Sequence, residues 1–321
     1  MEFKGTAVVA IGGNSLIKDK QHQSVLDQYI AARETCQHIV SMIREGWDVV
    51  ITHGNGPQVG FILRRSELAA HELHEVPLDV CGADSQGAIG YALQQNLLNE
   101  FRRFGMDRRV VTLISQTEVD ADDPAFVNPT KPIGSFMDMD MAKRRQEQGW
   151  DVVEDANRGW RRVVPAPMPR RIIELDSIKT LIGSGTIVIA VGGGGIPVVR
   201  KEDGGLEGVA AVIDKDLASA LLAAQLGADL LLISTAVEQV ALDFGRPQQR
   251  FVSELTASEA REYLAMGTHF AAGSMAPKIQ AVLNYLDAGG KEAIVTDPDN
   301  VLRALKGETG TRIVPDHHRS Q

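Results

Sequence analysis

Lysine is scarce in this chain, and three of its lysines stand where an ammonium group could neutralise a phosphate. Only 11 of the 33 basic residues are Lys, and none lies between Lys20 and Lys131. Lys215 opens the helix-like stretch AVIDKDLASALLA, between Asp214 and Asp216. It reads either as a solvated charge or as a phosphate-facing ammonium that Asp216 positions by ion pairing, with Asp214 near a metal or a ribose. Lys278, in GSMAPKIQAVL, follows Gly273 and Pro277. Proline suits a first helical turn and leaves neighbouring N–H groups free for an anion. Lys131, in NPTKPIGSF, precedes Pro132, which restricts its backbone. It reads either as a rigid lysine reaching over a substrate or as an ordinary loop charge.

Glycine points to the same chemistry. The 31 glycines cluster at Gly12-Gly13, Gly54-Asn55-Gly56, 192–195 and Gly204-Gly205. Three of these clusters follow short apolar, β-branched runs. In a parallel sheet, ligands sit at the carboxyl ends of strands, where helix N-termini present free N–H groups. One such loop is mostly a tight turn, whereas three in one chain point to an anion site. Two familiar nucleotide motifs are absent. The one Gly-Lys pair, Gly290-Lys291, continues into Glu292, so there is no P-loop, and Pro197 or Val198 stands where a dinucleotide fingerprint needs its third glycine.

Other chemistries find little support. His71 and His74 are spaced as a solvated helix face, His317 and His318 read as a frayed tail, and no Ser-His-Asp or Cys-His arrangement is evident. Cys36 and Cys81 are too few for a disulfide framework or a cysteine-rich metal site and read as buried thiols. A formal charge of −9 argues against nucleic acid or anionic lipid as a partner. Apolar residues at 44% and charged residues at 23% suit a globular protein, and no apolar run approaches a membrane span. The apolar run in MEFKGTAVVAIGGNSL is too short for a secretory leader, so a cytoplasmic protein is expected.

The elements that must position these residues alternate along the chain. Strands are predicted at 6–11, 47–52, 109–115, 186–191, 230–234, 292–296 and 312–314. Helices are predicted at 25–44, from the loop after Thr52 towards Ala70, and at 84–104 and 215–226. Such alternation implies an α/β fold with a mainly parallel sheet covered on both faces. Residues 117–171 break the rhythm with six prolines, charged runs and two tryptophans. They are expected to form an inserted lid within a single domain spanning 1–321.

Nine motifs in order then carry a resemblance over nearly the whole chain: VVAIGGNSL, HGNGPQVG, PLDVCGADSQG, VNPTKPIGSF, RGWRRVVPAP, AVGGGGIPV, AVIDKDLAS, TAVEQVALDFGRPQQ and GTHFAAGSMAPK. The chain resembles the carbamate kinases of the amino-acid kinase superfamily. The resemblance implies a three-layer αβα sandwich with a protruding lid, a homodimer, and reversible phosphoryl transfer between carbamoyl phosphate and MgADP giving ATP and carbamate. It implies that Lys131, Lys215 and Lys278 handle phosphate and that Asp216 orients the lysines. Gly12, Gly13, Asn14, Gly54 and Asn55 would hold the carbamoyl end and the transferring group. Gly193, Gly194, Gly195, Asp214, Thr235, Ala236, Val237 and Met275 would lie at the nucleotide, with Mg2+ accompanying ADP or ATP. Against that family's pattern, Ser135 and Met137 stand where Pro and Tyr are usual, Ala166 and Ala276 replace Ser and Gly, and Asp84 replaces an apolar residue. Two alternatives are a related kinase for another small carboxylate or carbamoyl acceptor, and a non-catalytic nucleotide-binding regulator.

Overall fold

The strand Gly5–Ile11 buries both of its faces, as the centre of a parallel sheet requires. Ala7, Val9 and Ile11 enter one apolar core, and Val8 and Ala10 enter the other. The computed structural model describes residues 3–13, 16, 21–22, 24–154, 159–271 and 273–316. Asn14, Ser15, His317 and His318 lie outside these residues, as does the side chain of Ser135. Among the described residues, eight strands form the main sheet in the order Glu254–Thr256, Thr311–Val314, Glu292–Thr296, Leu230–Ser234, Gly5–Ile11, Trp47–His53, Thr186–Ile189, Arg109–Thr112. All neighbours are parallel except Glu292–Thr296 and Thr311–Val314, which run antiparallel.

Helices Val25–Arg44 and Leu78–Arg103 cover one face of this sheet, and Leu175–Gly183, Lys215–Leu226 and Met275–Asp287 cover the other. The first of these shows why the chain forms helix there. Ala31, Ala32, Thr35, Cys36, Ile39, Val40 and Ile43 recur at helical spacing on its buried side, and Ser24 with Asp27 closes its N-terminus in a capping box. The result is the α/β sandwich with a mainly parallel central sheet that the alternation predicts.

Parallel order gathers the loops. Five adjacent strands, from Thr186–Ile189 across to Glu292–Thr296, point the same way, so the loops leaving them line one edge of the sheet. Gly12, Gly54, Gly192 and Thr235 all lie just beyond such strand ends.

Residues 117–171 contribute to two smaller sheets. Lys131–Met137, Trp160–Val164 and Val152–Glu154 pair antiparallel, with the helix Met139–Glu147 beside them. Met137, Ala142 and Val152 form a small core there, flanked by Met141, Trp150 and Trp160. The ends of the span behave differently. Gln116–Val119 and Pro169–Ile172 join Ile196–Arg200 and Leu206–Gly208 in a four-stranded sheet, and Val119 and Ile172 belong to the main core.

Three element boundaries differ from the periodicity. The helix predicted from 84 begins at Leu78, directly after Pro77. The strand predicted over 109–115 ends at Thr112, because the chain leaves the main sheet to enter the second one at Gln116. The strand predicted over 186–191 ends at Ile189, and Val191 takes a left-handed conformation with φ 55° that no strand accommodates.

Candidate active site

Asp214 is the N-cap of the helix Lys215–Leu226, its Oδ1 accepting the backbone N–H groups of Asp216 at 2.9 Å and Leu217 at 3.4 Å. This cap sets Lys215 and Asp216 in the first helical turn, at the positive end of the helix dipole. Lys278 enters from the first turn of a second helix, Met275–Asp287, with Pro277 immediately before it. Asp216 joins the two helices. Its Oδ1 accepts from Lys215 Nζ and its Oδ2 accepts from Lys278 Nζ at 2.6 Å. The three side chains are 5, 12 and 17% exposed for Asp216, Lys215 and Lys278.

The electrostatics reflect that arrangement. Burial pushes the Asp216 carboxyl up, but the two lysines outweigh it and bring the value down to about 2, so the group is an anion at neutral pH. Burial is also the largest influence on Lys215 and lowers its proton affinity; Asp216 opposes this and Lys278 adds to it. Lys131 joins from the small sheet. Its Nζ donates to Asp214 Oδ2 at 3.1 Å, so the helix cap also receives the lysine from the inserted segment.

The glycine loops close around this cluster. A Cβ on Gly54 would lie 3.5 Å from both Lys215 Cδ and the Gly13 nitrogen. A Cβ on Gly13 would meet the Gly56 carbonyl at 2.6 Å, and one on Gly12 the Ser234 carbonyl at 2.9 Å. At positions 12 and 13 only glycine allows so close an approach, whereas the contact at Gly54 is an ordinary one. Gly12, Gly13, Gly54, Lys215, Asp216 and Lys278 are therefore brought together. Thr235 abuts Gly12 and donates its N–H to Thr296 O at 2.8 Å, while Ala236 is exposed and Val237 half-buried beyond it. Met275 packs on the main core at the start of the helix that carries Lys278.

The run 192–195 lies against the centre of the site. Gly193, Gly194 and Gly195 have φ values of 66, 93 and 89°. A Cβ on Gly193 would overlap the Asn55 amide, one on Gly194 the Ile213 carbonyl at 2.6 Å, and one on Gly195 the Thr117 hydroxyl. Asn55, read with the carbamoyl end, thus touches the run read with the nucleotide, and donates to Ser85 Oγ at 3.2 Å.

Four residues that sequence reasoning missed hold this run and the floor beneath the lysines. Gln86 is buried in the helix Leu78–Arg103; its Nε2 donates to Ser115 O and Gly192 O, both at 3.0 Å, and its Oε1 accepts Ser115 N–H at 2.8 Å. Ser115 Oγ accepts the N–H of Val191 at 3.0 Å, and Thr117 Oγ1 donates to Gly194 O at 2.9 Å. His53 packs under Gly192 with Nδ1 3.0 Å from Gly54 O. Burial lowers its value to about 4, with Lys215 acting in the same direction, so the imidazole is neutral and Nδ1–H is the donor. Gln86 stands inside the quartet DSQG at 84–87, and nothing beside it in sequence marks it as a clamp.

This arrangement presents ammonium groups, two helix N-termini and glycine-loop amides to one anion, without a paired nucleophile and base. Among the described residues, no cluster of three His, Cys, Asp or Glu side chains could hold a metal ion. No described helix is long and apolar enough to cross a membrane.

Comparison with known proteins points the same way. The profile of the amino acid kinase family matches residues 5–297. The carbamate kinase-like protein YahI of Escherichia coli (strain K12) is 49% identical over 316 residues, covering 97% of this chain and 99% of that protein. A carbamate kinase of Pyrococcus furiosus is 48% identical over 311 residues, covering 96 and 98%. Among solved structures, the carbamate kinase from Giardia lamblia bound to AMP-PNP superposes with a TM-score of 0.91 at 42% identity, covering 97% of this chain and 99% of that one.

Proposed function

This chain belongs to the amino acid kinase family and is a phosphotransferase of the carbamate kinase type; from that premise we propose that its lysine–aspartate cluster moves a phosphoryl group from carbamoyl phosphate to ADP. The observation that carries the reading is Asp216 holding Lys215 and Lys278 together beside Gly13 and Gly54. The carbamoyl end rests on Gly12, Gly13, Gly54 and Asn55. The nucleotide lies across Gly193, Gly194, Gly195, Asp214, Thr235, Ala236, Val237 and Met275.

A β-phosphate oxygen of ADP bonds to phosphorus as the bond to the carbamate oxygen breaks, and carbamate departs with that electron pair. The leaving group is a carboxylate-type anion, so no proton needs to be supplied, and in reverse carbamate attacks without a general base. Charge spread over the equatorial oxygens is what the protein must cancel. Lys215 and Lys278 do this from fixed positions, each donor worth about 2.7–4 kcal/mol in the transition state. Asp216 keeps the two ammonium groups from repelling each other apart. Lys131 reaches in from the inserted segment 117–171, which we read as a lid, and excludes water from the reacting centre.

Mg2+ fits as a companion of the nucleotide, because the local carboxylates Asp214 and Asp216 are both engaged by lysines and leave phosphate oxygens and water as its main ligands. Of the two, Asp214 is the more exposed and would take it; the bound ion would cancel phosphate charge. We further propose that the enzyme works as a cytoplasmic homodimer, forming ATP in catabolism. Met137 turns into the core of the small sheet rather than out of it, so its departure from the family pattern is absorbed by packing, which favours carbamate over a different acceptor.

The test is incubation of the purified chain with carbamoyl phosphate and MgADP, following ATP. ATP formation is expected, and Lys215→Ala or Lys278→Ala should lower kcat by about 10²–10³. Nucleotide binding without ATP formation would overturn the proposal in favour of a regulator or another acceptor.

A further inference from the structure

We infer that the cavity between the helix Gln58–Ala69 and the small three-stranded sheet is a second anion site, suited to a short-chain dicarboxylate. The cavity holds about 150 Å³ and shares no residue with the lysine cluster. Three guanidinium groups line it, from Arg64, Arg145 and Arg162, against one carboxylate, Glu67. Glu67 Oε2 is 3.1 Å from Arg64 and 3.7 Å from Arg145, so its charge is already divided between two arginines. The Arg162 guanidinium has neither hydrogen bond nor ion pair among the described residues. It is half-buried and lies 4.4 Å above the Trp150 ring, which Arg145 also faces at 4.5 Å.

A guanidinium in this setting has been partly stripped of water with no acceptor in return. Burial is the largest influence on it and lowers its proton affinity, and the acidic groups opposing this act from a distance: Glu67, Glu75 and Asp151. An entering carboxylate would supply the missing bidentate acceptor. The surplus of two positive charges calls for a dianion. Leu63, Met141 and the Trp150 ring give the carbon body an apolar wall, and the volume admits about six to eight heavy atoms.

Ile133 and Gly134 also line the cavity and lie on the strand that carries Lys131. The opposite wall is a helix that begins immediately after the Gly54–Pro57 loop. An occupant would therefore tie the lysine-bearing strand to the element behind the glycine loop.

Succinate and inorganic phosphate titrated into the full chain, followed by calorimetry and tryptophan fluorescence with a Trp150→Phe control, test this. Succinate should saturate at millimolar concentration and more tightly than phosphate. Arg162→Gln should weaken it by about ten- to a hundredfold, Arg162→Lys should weaken it less, and Lys278→Ala should leave it unchanged. Arg64→Gln, at a side chain that is 41% exposed, carries the same expectation should Arg162→Gln fail to fold. Absence of saturation, phosphate binding as tightly as succinate in the Lys278→Ala variant, or a loss of succinate in Lys278→Ala equal to that in Arg162→Gln would overturn the inference.

Discussion

Replacing Asp216 by Asn keeps the shape of the side chain and removes the charge that two buried lysines share. The folded protein holds this carboxyl at about 2, below its ordinary 3.8, burial opposing and the two lysines prevailing. At about 1.4 kcal/mol per pH unit, ionisation of Asp216 favours the fold by about 2 kcal/mol. The substitution does more than neutralise. Asn offers one oxygen where two ammonium groups now find one each, and it leaves two buried positive charges facing each other. Breaking a buried pair in this way costs about 3–5 kcal/mol, and that is the loss expected in urea denaturation at pH 7. The pH dependence separates this cause from ordinary packing damage. Because the folded value of Asp216 lies below the unfolded one, its contribution is complete above about pH 4 and is lost as pH falls towards 2. The Asn variant should lack that acid limb. Lys215 has a lowered proton affinity in the fold, so its contribution improves as pH rises, and the gap between variant and parent should narrow on the alkaline side. A variant that loses less than about 0.5 kcal/mol, or that keeps the acid limb, would refute the view that this carboxylate holds the lysines in place.

Three further outcomes rest on the geometry. Lys131→Ala removes a 43% exposed side chain, so kcat should fall by about tenfold or more with the urea midpoint nearly unmoved; unchanged turnover would remove the lid from the mechanism. Gly195→Ala forces a side chain onto a φ of +89° and into the Thr117 hydroxyl, and should destabilise by about 1–3 kcal/mol while raising KM for the nucleotide; an unaltered KM would separate this run from the nucleotide. Gln86→Leu strands the buried N–H of Ser115 and should lose about 1–3 kcal/mol, with faster hydrogen exchange at Ser115 and Val191 than in the parent; unchanged exchange there would mean the glycine run is held by other contacts.

The regular elements were legible wherever one residue pattern covered the whole element. The helices 25–44 and 215–226 and the strands 230–234 and 292–296 occupy the spans their periodicity predicts. The four-stranded sheet was not legible, because Gln116–Val119 is short and half polar and Ile196–Arg200 begins within what reads as a glycine turn. The helix that starts at Leu78 begins six residues before its predicted start, and Gly82 inside it has open space beside it. At the site, the adjacency of Lys215 and Asp216 is a property of the chain itself. The contacts of Lys278 with Asp216 and of Lys131 with Asp214 span 62 and 83 residues and exist only through the sheet's order. Gln86 is the extreme case, since its partners lie 29 and 106 residues away and nothing local distinguishes a clamping amide from a surface one.

The middle of the main sheet is a seam between the two halves of the chain. Strand Gly5–Ile11 lies beside Leu230–Ser234 in register, and Thr6 donates to Asp229, 223 residues away. A growing polypeptide emerging from the ribosome therefore has its first strand ready long before that partner exists, with an apolar edge that must be kept from other chains meanwhile. Because Gly12 is fitted against Ser234 across the same seam, anion affinity should arise only after the second half has been synthesised and docked. In such a topology the acquisition of ligand binding is a late clock for completed folding, and slow closure of the seam sets its rate.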